Sequence, residues 1–126
     1  MKKEIAVSAV FALLIFLAVM NVRFIGKLTS EIKSMTEETM TLAQRGEWDR
    51  AEKLAREAAE LWEKSDARTH LVLRHTAIEN ADIVLNAHIG FMSSRNQKEA
   101  QGSARSVRSV INGIRELECF RLGSIF

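Results

Sequence analysis

The sequence reads as an all-α protein, an N-terminal transmembrane helix followed by a bundle of about four helices arranged as two α-hairpins. Three observations carry that reading. The chain has no proline and only six glycines, so little interrupts a helix except glycine and polar turns. Ile5 to Met20 is an uncharged apolar run. Beyond it, apolar residues recur in steps of three and four, the period of one helix face.

Composition bounds the rest. With 126 residues this is a single domain, and roughly a hundred of them remain for a fold with a modest core once the apolar run is set aside. Charged residues make up 27% of the chain, of both signs, for a formal net charge of +2. That excludes a disordered tail and gives no basis for a nucleic-acid partner. Cys119 is the only cysteine, which excludes an intrachain disulfide. It is read as an inert, partly buried residue near a helix end in preference to a thiol that pairs between chains.

The first element is the anchor. Residues 5–22 would make about 27 Å of helix at about 1.5 Å per residue, close to the ~30 Å hydrocarbon core of a bilayer. A cleaved signal peptide needs small residues three and one before the cut. Ala18-Val19-Met20 ends in a large residue and Phe24-Ile25-Gly26 begins with one, so an uncleaved anchor over 1–25 is preferred, with the helical domain over 26–126. Lys2, Lys3 and the amino terminus favour a cytoplasmic N-terminus. Arg23 and Lys27 on the other flank reduce the asymmetry. The expectation is a single-pass protein of the cell membrane with its bundle extracytoplasmic.

Between Leu28 and Gln44, Ile32, Met35, Thr39 and Leu42 share one side, so the anchor is expected to run on, with a bend near Gly26, as the first helix of the bundle. Arg45-Gly46 should end it, glycine taking its usual place just past a helix C-terminus. The second helix begins at Gly46-Glu47-Trp48 with an apolar face of Trp48, Ala51, Ala55, Ala58 and Trp62. The alanines let a neighbouring helix approach closely. The two tryptophans are candidate groove aromatics, although core packing explains them more simply.

Gly46-x-Trp48-x-x-Ala51 is similar to the inner turn of a tetratricopeptide hairpin, and a fainter echo follows 49 residues later at Arg95 to Ala100. That period is too long for a tetratricopeptide array. It points instead to two successive hairpins that pair their helices in the same way, with turns near residues 46 and 95.

Ser65-Asp66 is a plausible N-cap for a third helix over Ala67 to Met92. Leu71, Ile78, Leu85 and Met92 recur every seven residues, with His75, Asp82 and Ile89 four after each of the first three. Such a stripe is a seam for a partner helix, and two of its inner positions are polar. Residues 93–97 form the second hinge. The last helix, Lys98 to about Glu118, should bury Ala100, Ala104, Val107, Val110, Ile111, Ile114 and Leu117. Its other side carries Lys98, Arg105, Arg108 and Arg115, which could meet anionic lipid headgroups but reads more simply as a solvated face. The apolar tail Phe120 to Phe126 should fold back on the bundle.

His75, Glu79 and Asp82 lie along one helix face and are the candidate site. Imidazole and carboxylate are ligand types that zinc or iron accept. One helix cannot complete a coordination sphere, and the paired Glu-x-x-His motifs of carboxylate-bridged sites are absent. The simpler reading is a hydrogen-bonded network that fixes helix register. The chain has no glycine-rich phosphate loop, Gly-x-Ser-x-Gly, Cys-x-x-Cys or His-Glu-x-x-His. No metal, cofactor or catalytic residue is expected.

The order of a basic start, an apolar span, Gly46-Glu47-Trp48, Trp62, then His75 with Ile78-Glu79 and Asp82, and a final amphipathic helix resembles the bacterial family of domain of unknown function 4363 over nearly the whole chain. Ser65-Asp66-Ala67-Arg68 is less aromatic than the family pattern. The resemblance implies a small, membrane-anchored, helical extracytoplasmic protein, implies no reaction, and treats His75, Glu79 and Asp82 as a unit. The expected function is a non-enzymatic, membrane-tethered interaction or scaffold module. It would hold the membrane through residues 5–22 and engage a protein partner or a second copy of itself. The alternative is a ligand- or metal-binding sensor domain built on the His75, Glu79 and Asp82 face.

Overall fold

The structure, a computed structural model, describes the backbone of residues 1–65 and 75–125 and the side chains of those residues other than 75 and 117–125. Among the described residues there are four helices and no strand: α1 (Lys2–Gln44), α2 (Trp48–Lys64), α3 (His75–Ser93) and α4 (Gln97–Ile125). Helix α1 packs on α2 and α4, and α3 packs on the same two. The helices therefore stand at the corners of a square, with α1 diagonally opposite α3.

Helix α1 is unbroken for 43 residues, about 65 Å at 1.5 Å per residue. Its two halves meet different surroundings. Ile5, Phe11, Leu14 and Leu17 are all more than half exposed, whereas Ile25 is the first buried residue. From there Leu28, Thr29, Ile32, Thr36, Thr39, Leu42 and Ala43 line the bundle interior. Three threonines are tolerated there because each hydroxyl donates to a carbonyl of its own helix: Thr29 to Gly26 O at 3.1 Å, Thr36 to Ile32 O at 2.8 Å, and Thr39 to Thr36 O.

The two hairpin turns are copies. Gly46 has φ 79° and Arg95 has φ 57°. The Gly46 amide donates to Ala43 O at 3.0 Å and the Glu47 amide to Leu42 O at 2.9 Å. Forty-nine residues on, Arg95 donates to Met92 O at 3.2 Å and Asn96 to Phe91 O at 3.3 Å. Both are Schellman closures, in which a left-handed residue lets the last carbonyls of one helix be capped. The next helix then starts on the equivalent residue in each case, with Ala51 donating to Glu47 O and Ala100 to Asn96 O. The echo continues into the core, where Ala51 and Ala100, Ala55 and Ala104, Ala58 and Val107, and Trp62 and Ile111 are all buried.

One interior cluster is centred on Trp62 with Ile25, Ile32, Ile78, Leu85 and Ile111. A second, at the turn end, joins Leu42, Ala51, Met92 and Ala100, with Trp48 packed partly buried against it. The buried alanines Ala51 and Ala55 of α2 and Ala100 and Ala104 of α4 keep these helices close to their neighbours. The tryptophans serve the two clusters separately, Trp62 buried in the first and Trp48 half-buried against the second.

Three sequence expectations change. Helix α4 continues to Ile125, so the tail extends the helix where a stop near Glu118 and a folded-back segment were expected. A single glycine at position 123 weakens a helix by only about 1 kcal/mol, too little to end one. Ser65 closes α2, its hydroxyl donating to Leu61 O at 2.9 Å, where an N-cap for the following helix was expected. The remainder of that expected start, Asp66 and Ala67, lies outside the described residues. Finally, the seam of α3 runs through Ile78, Ala81, Leu85, His88 and Met92. From each seventh residue it takes a step of three, where a step of four through Asp82 and Ile89 was expected.

Candidate functional site

That change of step relocates the polar centre of the protein. Glu79 is exposed and Asp82 half-buried on the flank of α3, while the side chain of His75 lies outside the described residues. The Asp82 carbonyl accepts a hydrogen bond from Asn86 Nδ2 at 2.8 Å. The buried polar group of the seam is His88, 1% exposed.

His88 occupies the middle of the square. Its Nε2 lies 2.8 Å from Thr39 Oγ1 on α1, and its Nδ1 lies 2.7 Å from Ser103 Oγ on α4. Thr39 and His88 are themselves 49 residues apart, so the contact joins equivalent positions of the two hairpins across the diagonal. Ser103 Oγ also sits 2.8 Å from Ala100 O, as Thr39 Oγ1 does toward Thr36 O. One imidazole thus ties three helices together at a single level.

The protons of this chain are constrained. A hydroxyl has one hydrogen to donate. If both hydroxyls give theirs to backbone carbonyls, both ring nitrogens must donate, which only imidazolium can do. Burial opposes that charge and lowers the His88 pKa to about 4. Near neutral pH the ring therefore carries one N–H, and one of the two hydroxyls turns from its carbonyl to donate to the ring. The released carbonyl belongs to a helix interior and keeps its backbone partner, so the change is cheap. Either tautomer satisfies every ring nitrogen.

Ser103 and His88 have the residue types of a nucleophile and base, and Ser103 forms part of the floor of an open groove of about 340 Å³ between α3 and α4. The pair differs from a nucleophile–base couple in two respects. A base with a depressed pKa draws little proton from serine at neutral pH. The group orienting the far nitrogen is the neutral Thr39, where a triad uses a carboxylate that stabilises the imidazolium. The geometry suits a register lock: two slid helices would strand a buried ring nitrogen.

The groove offers a different kind of surface. Ile83 is 65% exposed on its rim, beside Ala87 and Phe91, and Gly102 and Ser106 of α4 form the opposite wall. On the outer side of α4, Lys98, Arg105, Arg108 and Arg115 are all exposed. Arg108 reaches Glu37 of α1 at 3.5 Å, so that face is partly countered by its neighbour. At the turn end Arg95 and Asp49 pair at 3.3 Å between the two hairpins. Exposed pairs of this kind contribute about 0–1 kcal/mol. Among the described residues no group of three or more histidine, cysteine or acidic side chains is placed to hold a metal ion.

The seam position of His88 has a signal in the sequence. It lies ten residues after Ile78 and three after Leu85, the seam positions of a heptad that alternates steps of three and four.

A family model described as domain of unknown function (DUF4363) matches residues 19–125. No curated protein and no solved structure matches the chain.

Proposed function

Starting from the fact that the chain belongs to the DUF4363 family, we propose that it is a membrane-tethered helical bundle that acts as a non-catalytic interaction module on the extracytoplasmic side. The observation that carries this reading is the contrast within α1. Its most apolar window, of mean hydropathy 2.6, has none of its residues buried, yet the same helix continues into the core at Ile25. An exposed apolar rod of this length is unstable in water and stable in a bilayer. Lys2 and Lys3 favour a cytoplasmic N-terminus. On the bundle, the Ile83–Phe91 rim is an apolar surface that a protein partner or a second copy would meet.

The second reading is a ligand- or metal-binding sensor domain built on the His75, Glu79 and Asp82 face, where Glu79 is exposed and Asp82 half-buried.

Membrane residence and orientation are tested with reporters fused after Phe126 in a bacterial host. A phosphatase that folds only outside the cytoplasm should be active, and a fluorescent protein that matures only inside should be dark. The reverse result refutes the orientation. Release of the protein from membranes by alkaline carbonate refutes the anchor.

A further inference from the structure

We propose that the last two turns of α4 form a second, shallow lipid contact, entering the outer leaflet beside α1. This rests on the reading that residues 5–22 span a bilayer. The argument begins with register. Thr39 and Ser103 bind the same imidazole, so they stand at one level on antiparallel helices. The Glu37–Arg108 pair keeps the two helices in nearly the same register. Helices advance equally per residue, and Ile125 lies as many residues below Ser103 as Leu17 lies below Thr39. Helix α4 is unbroken to Ile125, so its end reaches the level of Leu17, inside the apolar span.

The surface of α1 agrees with this. Along the exposed rod, Ile15, Ala18, Val19 and Val22 are half-buried while Leu13, Leu14, Leu17 and Met20 are exposed. The half-buried residues follow the steps of three and four that lead into Ile25, Leu28 and Ile32, the face that α4 covers higher up. The covered face of α1 therefore extends below the bundle, continuous with the α1–α4 interface.

The composition of the α4 end suits the depth. With the water boundary at Val22 and Arg23, the level of Leu17 lies about 8 Å inside at 1.5 Å per residue. That is too shallow to cross a ~30 Å core and within the 5–10 Å at which interfacial helices bury their apolar residues. Residues 120–125 of the helix include Phe120, Leu122 and Ile125 in sequence, with Arg121 the one charged residue.

The test uses the full chain in phosphatidylcholine vesicles. A bimane fluorophore is placed on single cysteines in a Cys119→Ser background: Ser124→Cys at the end of α4, Ser8→Cys in the span, and Ser106→Cys on the bundle. Each is challenged with a lipid carrying a nitroxide high on its acyl chain and with aqueous iodide. Site 124 should lose fluorescence to the lipid nitroxide as site 8 does and resist iodide, while site 106 shows the opposite. Quenching of site 124 by iodide, or by neither agent, with site 8 quenched by the lipid, overturns the second contact and leaves the anchor standing. Quenching of site 8 by iodide overturns the anchor and this proposal with it.

Discussion

Replacing Thr39 with valine should weaken the bundle more than removing the histidine it binds. Valine keeps the shape of threonine but leaves His88 Nε2, now 2.8 Å from a hydroxyl, with a methyl group. A buried polar atom stripped of its partner costs about 1–3 kcal/mol. His88→Leu removes the imidazole instead, at similar volume. The Thr39 and Ser103 hydroxyls still have Thr36 O and Ala100 O to receive their protons, so no donor is stranded and the cost should stay under about 1 kcal/mol. The assay is urea unfolding of the full chain in detergent micelles, followed by the fluorescence of Trp62, which is 1% exposed. With a slope of about 1.5 kcal/mol per molar, Thr39→Val should lower the midpoint by about 1 M. In the His88→Leu background the same threonine change should cost little. A midpoint loss for His88→Leu equal to or larger than that for Thr39→Val would refute the register-lock account.

Three further outcomes follow from the same geometry. The folded pKa of His88, about 4 against 6.5, is depressed for a base, so between those values the unfolded chain holds the extra proton. Stability should fall as pH drops from about 6.5 to about 4, by at most about 3 kcal/mol, and His88→Leu should flatten that part of the midpoint-against-pH curve. At the turns, Gly46→Ala should cost about 1–2 kcal/mol from its φ of 79° alone, since an added Cβ meets nothing within 4 Å. Arg95→Gly, relieving the same conformation at φ 57°, should stabilise by up to about 1 kcal/mol despite losing an exposed ion pair; thermal midpoints separate the two. Trp62→Ala should cost about 3–5 kcal/mol and Trp48→Ala, half-buried in the smaller cluster, markedly less. Equal losses in chemical denaturation would contradict the two-cluster core.

The helices, their hairpin pairing and the repeat at 49 residues were all legible from residue order, because each depends on local rules. Glycine at a left-handed turn, alanine three residues into the next helix and the period of a buried stripe are properties of short segments. Arg95 shows how far this reaches: it lacks the glycine signal, yet the alanine spacing after it still located the turn. The polar centre was not legible in the same way. A heptad defined by Ile78, Leu85 and Met92 admits a second row either three or four residues on, and the sequence holds polar residues in both rows. Choosing between Asp82 and His88 requires knowing which side of α3 faces α1 and α4, which depends on how four helices rotate against one another.

The end of α4 shows the same division from the other side. Its apolar residues were visible in the chain, and a folded-back tail was a reasonable way to hide them. That the helix runs on depends on nothing at positions 118–125 stopping it, which is local. That it runs on beside the exposed half of α1 depends on the level at which Thr39, His88 and Ser103 meet, and only packing sets that level. Residue order thus decided that this chain makes long helices, where they turn, and that one of them is apolar enough to cross a bilayer. Tertiary structure decided which histidine is locked inside and how far the last helix reaches, because both are set by contacts between segments distant in the chain.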